Sequence, residues 1–356
     1  MSLIHELAPV ETQDSYRFGT LDRTEFNKNA QILRANSMIP ITGVSELGVL
    51  LDQVNEDGKK IVWRDPATGE EKKITRYAVR SLIPDSILDE VTVAAAAEGR
   101  EFMREAKIPL HNGYSFVFFG RNFPGRIPSK ETQDAVKLLV EEVSAKPGDP
   151  LREYLFAARD QDFELERLTG ELNDEDRKDL VRMYKNSFAN YPLDIETEII
   201  EMVEGNGRYT VCVARNKGDE RLYAVAATED VKIIMHKKVL HIRKMGYSAK
   251  DHEHKVKGLN AALKVKLIEQ AAQAGVHLVF GLSRATVRSV NRINHSIGML
   301  PYGTLPLDSY IGGEVDQAFR EKNEQGETLP QESMNVWALD EYALERIRKE
   351  LKDHYV

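Results

Sequence analysis

The residues from Lys255 to Ala261 have the types and spacing of an anion-binding site. The run KVKGLNA places two lysines and a glycine directly before an apolar periodic segment. Apolar residues then recur at helical spacing, at Leu259, Leu263 and Leu267. Gly275 stands where a helix-ending glycine belongs. Free N–H groups at a helix N-terminus, together with the positive end of the helix dipole, favour a phosphate group. The alternative interpretation is a capped surface helix with no ligand.

Length and composition narrow the classes of protein that this chain can represent. The chain has 356 residues, of which 42% are hydrophobic and 30% charged, and this is typical of a globular protein with two domains. The formal net charge of −8 argues against non-specific nucleic-acid binding. No apolar run approaches a membrane span, and no signal peptide is recognisable at the N-terminus. The single cysteine, Cys212, excludes an internal disulfide and predicts a cytoplasmic protein.

Residues 1–160 read as an N-terminal α/β domain of unknown role. Helices are predicted over residues 45–54, 86–107, 131–143 and 149–159, and a hairpin is predicted around residues 65–69. Residues 115–120 have the composition of a buried strand. Residues 1–40 show little pattern, and the whole region contains no catalytic motif. One hypothesis is that this domain is a degenerate copy of the one that follows.

Residues 161–356 show a readable order of elements, with a strand and two helices, three strands, a helix, a strand, a helix and two strands. The predicted anion loop lies between the fourth strand, residues 238–245, and the third helix. A polar stretch over residues 313–332 interrupts the last pair of strands, as either a flexible loop or a substrate lid. His252 and His254 lie in a charged turn without further ligands, so we expect no metal site.

This half of the chain resembles the Gcn5-related N-acetyltransferases (GNAT superfamily). The loop is similar to their pyrophosphate-binding motif, Q/R-x-x-G-x-G/A, with Lys255, Gly258 and Asn260 at the key positions. Lysine and asparagine differ from the family's usual residues, although lysine keeps the positive charge. The phrases SFANYPLDI, SRATVRSVNRINHSIGMLPYGTL and ESMNVW resemble the beta-lysine N6-acetyltransferases within that superfamily. The resemblance implies a mixed central sheet flanked by helices.

The resemblance also implies acetyl-CoA as the acyl donor and a set of residues that hold it. The pyrophosphate would be held by Lys255, Val256, Lys257, Gly258, Leu259, Asn260 and Ala261. A backbone N–H at the end of the fourth strand, within Met245, Gly246 and Tyr247, would stabilise the developing oxyanion. Asn291, in the later helix, would contact the pantetheine arm.

The general base and acid are less defined by the resemblance. An amine must lose a proton before it attacks, since its ordinary pKa is near ~10.4. His241, on the fourth strand, is the first candidate for the base, and Glu229, on the preceding strand, is the second. Glu229 can alternatively bind a cationic group of the substrate. The family's usual tyrosine acid is replaced by Asn294, which leaves His295, Tyr302 or solvent as the proton donor.

The sequence therefore predicts an acetyl-CoA-dependent N-acetyltransferase that acts on a small amine, such as the amino acid beta-lysine. One alternative is an enzyme that modifies a protein or peptide. Another is a protein that binds an acyl-CoA without transferring the acyl group, as a sensor or scaffold. We expect no nucleic-acid or membrane partner, and the oligomeric state is open.

Overall fold

The computed structural model describes most of the chain. The described residues are 14–18, 21–27, 32–37, 40–64, 69, 71–110, 113–124, 126–145, 162–190, 195–205, 207–235, 238–251, 256, 258–309, 312–313 and 332–354. We call the described residues up to 145 the N-terminal half and those from 162 the C-terminal half. The predicted boundary between residues 160 and 161, the predicted helix over 149–159 and most of the polar stretch over 313–332 lie outside the described residues.

The N-terminal half contains both strands and helices. Its elements are, in chain order, β1 (Asp14–Phe18), β2 (Leu21–Asn27), β3 (Ile32–Ser37), α1 (Val44–Lys60), β4 (Val62–Arg64), β5 (Glu71–Lys73), β6 (Arg76–Pro84), α2 (Leu88–Ala96), β7 (Met103–Pro109), β8 (Tyr114–Asn122) and α3 (Lys130–Ser144).

The C-terminal half follows the element order predicted from its sequence, with two added short strands, Phe188–Asn190 and Gly312–Gly313, and one added helix at its end. Its elements are β9 (Phe163–Leu168), α4 (Asp174–Ser187), β10 (Phe188–Asn190), α5 (Glu198–Glu204), β11 (Tyr209–Asn216), β12 (Leu222–Met235), β13 (Lys238–Lys250), α6 (Leu259–Gln273), β14 (Leu278–Arg284), α7 (Arg288–Ser296), β15 (Leu300–Ser309), β16 (Gly312–Gly313), β17 (Glu332–Leu339) and α8 (Glu341–His354).

A single sheet of 13 strands runs through both halves. Its strand order is β1-β2-β3-β6-β8-β7-β15-β17-β14-β13-β12-β11-β9. Neighbouring strands are antiparallel except for two parallel pairs, β3 with β6 and β13 with β14. Each parallel pair is joined by a helical crossover, α1 in the first and α6 in the second, as parallel strands require. The predicted mixed α/β fold is confirmed, whereas a separate N-terminal domain is not, because the sheet is continuous.

The two halves repeat one strand arrangement. In the C-terminal half, three antiparallel strands lead through α6 to β14, and β17 then pairs beside β14 with β15 outside it. In the N-terminal half, β1 to β3 lead through α1 to β6, and β8 pairs beside β6 with β7 outside it. The equivalent outer strands, β7 and β15, meet in the middle of the sheet. The hypothesis that the first half is a degenerate copy of the second stays a prediction.

The contact between β7 and β15 depends on a glycine. Gly303 pairs with Ala106, and a Cβ atom at Gly303 would lie 2.3 Å from the carbonyl oxygen of Glu105. Apolar side chains of both halves also form one shared cluster beside this contact. In that cluster the ring of Phe280 lies 5.5 Å from that of Phe116 and 5.6 Å from that of Phe118, centroid to centroid. The two halves therefore pack as parts of one core.

Helices cover both faces of the C-terminal half of the sheet. α6, α8 and the end of α3 pack on one face, around Met245, Val279 and Trp337. α4 and α5 pack on the opposite face. Within the described residues, no helix is long and apolar enough to cross a membrane.

One prediction about secondary structure was wrong, and two parts of the secondary structure were missed. The helix predicted over residues 86–107 ends at Ala96, and Met103–Pro109 forms β7, which pairs with β8. Pairing with a buried strand overrides the helical preference of that segment. Residues 14–37, which show little pattern, contain three strands of the sheet. The C-terminal helix α8 was missed, although Asp340 caps its first turn and Leu344 and Ile347 provide a helical apolar stripe.

Candidate acyl-donor cleft

The two parallel strands of the C-terminal half separate partway along their length. β13 and β14 pair from Ile242 with Leu278 to Met245 with Gly281. β13 then continues to Lys250 and β14 to Arg284, and no pairing joins these two described segments. A gap therefore opens between the strands directly after Met245. Backbone amides that would bond to a neighbouring strand are directed into such a gap.

An irregularity in β13 accompanies the separation. The register between β12 and β13 shifts, because Val225 pairs with Ala249 while Ala227 pairs with Gly246. Two β13 residues thus lie opposite a single residue of β12, which is a β-bulge. Tyr247, within the bulge, has a φ of 53°, and its carbonyl oxygen accepts a hydrogen bond from the Tyr184 hydroxyl. The predicted oxyanion residues, Met245 to Tyr247, all lie at the point where the strands diverge.

The N-terminus of α6 presents backbone N–H groups that have no acceptor within the helix. Gly258 caps the helix in a left-handed conformation, with a φ of 86°, and makes no side-chain capping bond. The first intrahelical hydrogen bond runs from Ala262 N to Gly258 O, at 2.9 Å. The N–H groups of Leu259, Asn260 and Ala261 precede that bond, and the first turn holds no acidic residue. Lys255 and Lys257 lie outside the described residues, whereas Val256 packs against the core.

The equivalent helix of the N-terminal half is closed to an anion. At the start of α1, the Thr42 N–H donates to Glu46 Oε2 at 2.8 Å, and the Thr42 hydroxyl donates to the same carboxylate. A carboxylate therefore already occupies this helix end. β3 also stays paired with β6 along its length, from Ile32 with Arg76 to Asn36 with Arg80. In the part of the chain that the structure describes, the strand gap and the open helix end occur together only in the C-terminal half.

Glu229 lies in a polar cluster on the face of the sheet opposite α6. Its side chain is buried, and Oε2 accepts a hydrogen bond from the Tyr247 hydroxyl at 2.8 Å. Lys244 Nζ lies 3.4 Å from the same Oε2 and 2.9 Å from Tyr247 Oη. Arg208 forms an ion pair with Oε1. Because Tyr247 belongs to the bulge, this cluster connects the Glu229 carboxylate directly to the strand gap.

His241 lies away from this cluster. It pairs with Lys232, whereas Glu229 pairs with Lys244, three residues further along β13. Strand alternation places His241 on the opposite face from Glu229. The His241 ring is exposed, and it stacks with the ring of His277 at a centroid distance of 6.4 Å. The structure therefore does not bring the first candidate base into the gap.

Neither of the two predicted proton donors lies on β13 or β14. Tyr302, on β15, is two strands away from β14, or about 10 Å at the usual strand spacing. Burial, together with Asp340, raises the pKa of Tyr302 to about 12. His295 lies on α7, and its ring packs 6.2 Å from that of Trp337 on β17.

The side chain of Asn291 has a structural role, which argues against its predicted contact with a cofactor. Its side chain is fully buried, and Nδ2 donates to the carbonyl oxygens of Arg284 and Val287 at 2.9 Å and 2.8 Å. Its Oδ1 accepts from the Ser283 hydroxyl, from Asn335 Nδ2 and from Trp337 Nε1. The amide group has thus used its hydrogen-bonding capacity within the protein. Asn291 joins α7 to β14 and β17 and has no donor or acceptor left for a pantetheine arm.

Sequence reasoning missed one buried polar contact near the gap. Lys264 of α6 donates from Nζ to Asn294 Oδ1 of α7 at 2.8 Å, and both residues are buried. Burial lowers the pKa of Lys264 to about 8. The available signal was the lysine itself, which interrupts an apolar helical run one turn after Asn260.

Comparison with known proteins finds similar structures but no similar sequences. No protein-family model matches the chain, and no curated protein matches it. Among solved structures, the chain is similar to the ribosomal-protein-S18-alanine N-acetyltransferase of Escherichia coli, with 16% identity over 50% of this chain and 93% of that one, and a TM-score of 0.36. It is similar to a putative acetyltransferase of Salmonella typhimurium solved with acetyl-CoA, with 14% identity over 51% and 94% of the two chains and a TM-score of 0.36. It is also similar to NAA60 of Arabidopsis thaliana, solved with a bisubstrate analogue, with 12% identity over 50% and 98% of the two chains and a TM-score of 0.39.

Proposed function

We propose that the protein is an acetyl-CoA-dependent N-acetyltransferase. The observation that carries the proposal is the combination of three features in the C-terminal half. β13 separates from β14 after Met245, a bulge in β13 holds Tyr247 at the gap, and the N-terminus of α6 presents free N–H groups. A helix end of this kind suits a phosphate, and a strand gap suits an extended arm that needs hydrogen bonds to backbone amides.

Acetyl-CoA would supply an acetyl group as a reactive thioester. The backbone N–H groups of residues 256–261 would hold its pyrophosphate, with Lys255 and Lys257 as additional positive charges. The amide groups of Gly246 and Tyr247 would face the thioester oxygen. A preorganised donor in that place lowers the barrier by about 3 kcal/mol.

Glu229 is our choice for the general base. Its carboxylate can accept a proton from the acceptor amine, either directly or through the hydroxyl of Tyr247, with which it is hydrogen-bonded at 2.8 Å. Arg208 and Lys244 hold the carboxylate in place. We assign no catalytic role to His241, since it lies on the other face of the sheet.

For the acceptor we propose a small amine, with beta-lysine as the first compound to test. This choice depends on the resemblance of three sequence phrases. An enzyme that modifies a protein or peptide is the alternative within enzymes. A sensor that binds an acyl-CoA is the alternative of another class, and it would bind acetyl-CoA without releasing CoA when amines are added.

Thermal melting with acetyl-CoA, CoA and NAD tests the donor site. A ligand at ~100 times its Kd adds about 2.7 kcal/mol to the stability of the folded state. We expect acetyl-CoA and CoA to raise the Tm and NAD to leave it unchanged. A panel of amines that begins with beta-lysine, followed by the release of free CoA, then separates an enzyme from a sensor.

A pair of variants at Gly258 tests the loop with a matched control. Gly258→Asp places a negative charge beside the proposed pyrophosphate, whereas Gly258→Asn adds a side chain of equal size without the charge. Asparagine tolerates the left-handed conformation of this position, and among the described residues no atom beyond the chain neighbours lies within 4 Å of the added Cβ. We expect Gly258→Asp to weaken acetyl-CoA binding much more than Gly258→Asn. Equal affinities for the two variants would remove the loop from the donor site.

A further inference from the structure

Lys264 is a buried lysine with no carboxylate partner among the described residues. Lys264 is 8% exposed, and its Nζ donates a hydrogen bond to the neutral amide oxygen of Asn294. Burial lowers the pKa of Lys264, and no carboxylate among the described residues raises it again. A buried ammonium without an acidic partner destabilises the folded state. Its presence therefore indicates a use other than stability.

The contact between Lys264 and Asn294 joins the helices that cover the two sides of the strand gap. α6 packs on β11, β12 and β13, and α7 packs on β14, β15 and β17, so a bond between the two helices crosses from the β13 side to the β14 side. Asn294 is one helical turn beyond Asn291, which contacts Ser283 at the unpaired end of β14. The Lys264 ammonium thus lies in the seam between α6 and α7, the helices that pack on the two diverging strands.

A second polar side chain lies on the same side of α6. Asn260 precedes Lys264 by four residues, so the two side chains are neighbours on the helix surface. The Oδ1 atom of Asn260 is buried and has no hydrogen-bond partner among the described residues. Asn260, Lys264 and Asn294 form a polar lining that leads from the open end of α6 into the seam. A ligand with amide groups would satisfy such a lining.

We propose that the ammonium of Lys264, held by Asn294 in the seam between α6 and α7, is the proton donor for the departing thiolate of the acyl thioester. This inference rests on the proposed acetyltransferase function. In the reaction a bond forms between the amine nitrogen and the acyl carbon, and the bond between that carbon and sulfur breaks. The amine proton goes to Glu229, and sulfur receives a proton from Lys264 Nζ. Exchange with solvent then restores both side chains.

The acidity of Lys264 suits this transfer. Burial lowers its pKa to about 8, close to the ~8.5 of an ordinary thiol. On the α6 side of the neighbouring strands, Arg243 forms an ion pair with Asp230 and not with Lys264 or Asn294. At the end of β14, Arg284 binds Glu332. From α7, His295 is the titratable neighbour of Asn294, and its ring packs beside Trp337.

Ionisation of the thiol of bound CoA tests the proposal without a turnover measurement. The thiolate absorbs in the ultraviolet, so its formation can be titrated in the complex of CoA with the full-length protein. Lys264→Met removes the ammonium, Lys264→Arg keeps a positive charge, and Lys266→Met makes the same chemical change at a half-buried lysine of the same helix. An adjacent positive charge lowers a thiol pKa by about 1 to 3.

We expect Lys264→Met to raise the pH at which bound CoA ionises by about 1 or more. The wild type, Lys264→Arg and Lys266→Met should share the lower value. We also expect turnover by Lys264→Met to fall about 100-fold with acetyl-CoA, as for the loss of a general acid. Its Tm should stay the same or rise, because a buried charge is lost.

The outcomes separate this inference from the proposed function. If the wild-type protein binds neither CoA nor acetyl-CoA, the proposed function and the role of Lys264 both fail. If it binds CoA and the thiol ionises at one pH in the wild type and in Lys264→Met, the role of Lys264 fails and the acetyltransferase proposal stands. If Lys264→Arg behaves like Lys264→Met, a positive charge near sulfur is not the cause, which also contradicts the inference.

Discussion

Arg76 and Asp308 form a buried ion pair that joins the two halves of the chain. Arg76 Nε lies 3.0 Å from Asp308 Oδ1, and the side chains are 0% and 1% exposed. Arg34 binds the same carboxylate at 3.2 Å, and Glu105 binds the opposite side of the Arg76 guanidinium. Asp308 belongs to β15, whereas the arginines belong to β3 and β6. The pairing therefore fixes the end of β15 against the N-terminal half of the sheet.

Loss of this carboxylate should destabilise the whole protein. Asp308→Asn removes the carboxylate that Arg34 and Arg76 share and leaves Glu105 as the remaining counter-charge of Arg76, and breaking one partner of a buried pair costs about 3 kcal/mol or more. Urea unfolding followed by circular dichroism measures the change. Glu56→Gln is the matched control, because the pair of Glu56 with Lys59 is 63% and 65% exposed and should contribute less than about 0.5 kcal/mol. Similar stabilities for the two variants would show that Asp308 does not join the halves.

The same pair predicts a dependence of stability on pH. Burial raises the pKa of Asp308, but Arg34, Arg76 and Arg80 outweigh burial and hold it well below its ordinary value. A carboxylate with a lowered pKa stabilises the folded state above its unfolded value of ~3.9, and this contribution is lost as the pH falls below it. We therefore expect the difference in free energy of unfolding between the wild type and Asp308→Asn to be constant between about pH 5 and 8 and to be smaller at about pH 3. A difference that is the same at about pH 3 as between about pH 5 and 8 would contradict the lowered pKa.

The polar cluster on β12 and β13 predicts which side chain accepts the amine proton. Glu229→Gln keeps the size of the side chain and should lower kcat about 100-fold or more, as for a general base. His241→Ala should leave kcat and its pH profile unchanged, because His241 lies on the other face of the sheet. The two variants are compared by CoA release with the best amine from the screen. The reverse result would restore His241 as the base.

We expect the loss of the Asn291 side chain to destabilise the folded protein, and not only to weaken the binding of the acyl donor. Asn291→Ala leaves buried donors of Trp337, Asn335 and Ser283 without their shared acceptor. Each buried unsatisfied group costs about 1 to 3 kcal/mol, so we expect a loss of about 3 kcal/mol in urea unfolding. Arg292→Ala is the control, since Arg292 is the exposed next residue and should change stability by less than about 0.5 kcal/mol. Weaker acetyl-CoA binding by Asn291→Ala at unchanged stability would reinstate it as a ligand.

The order of the main elements in the C-terminal half and the position of the loop before α6 could be predicted from the sequence alone. These features depend on residues that are close together in the sequence. They are the helical periodicity of α6, the apolar run of β14 and Gly258, which adopts the left-handed conformation at the cap. The resemblance of the loop and of the final strand to acetyltransferases adds to the same local information. The predicted place of the oxyanion donors, Met245 to Tyr247, follows from the predicted end of the fourth strand, although β13 continues to Lys250.

The contacts between segments that are distant in the sequence could not be predicted, because they form when the elements pack. The pairing of β3 with β6 and the insertion of Asp308 among arginines of the N-terminal half join residues far apart in sequence, which periodicity does not show. Which face of the sheet carries His241 and which carries Glu229 depends on pairing register and on the bulge. The hydrogen bonds of the Asn291 side chain to residues of β14 and β17 form only when packing brings these elements together. The same holds for the hydrogen bond from Lys264 of α6 to Asn294 of α7. Local pattern predicts elements, whereas the partners of each polar side chain are decided when the elements pack.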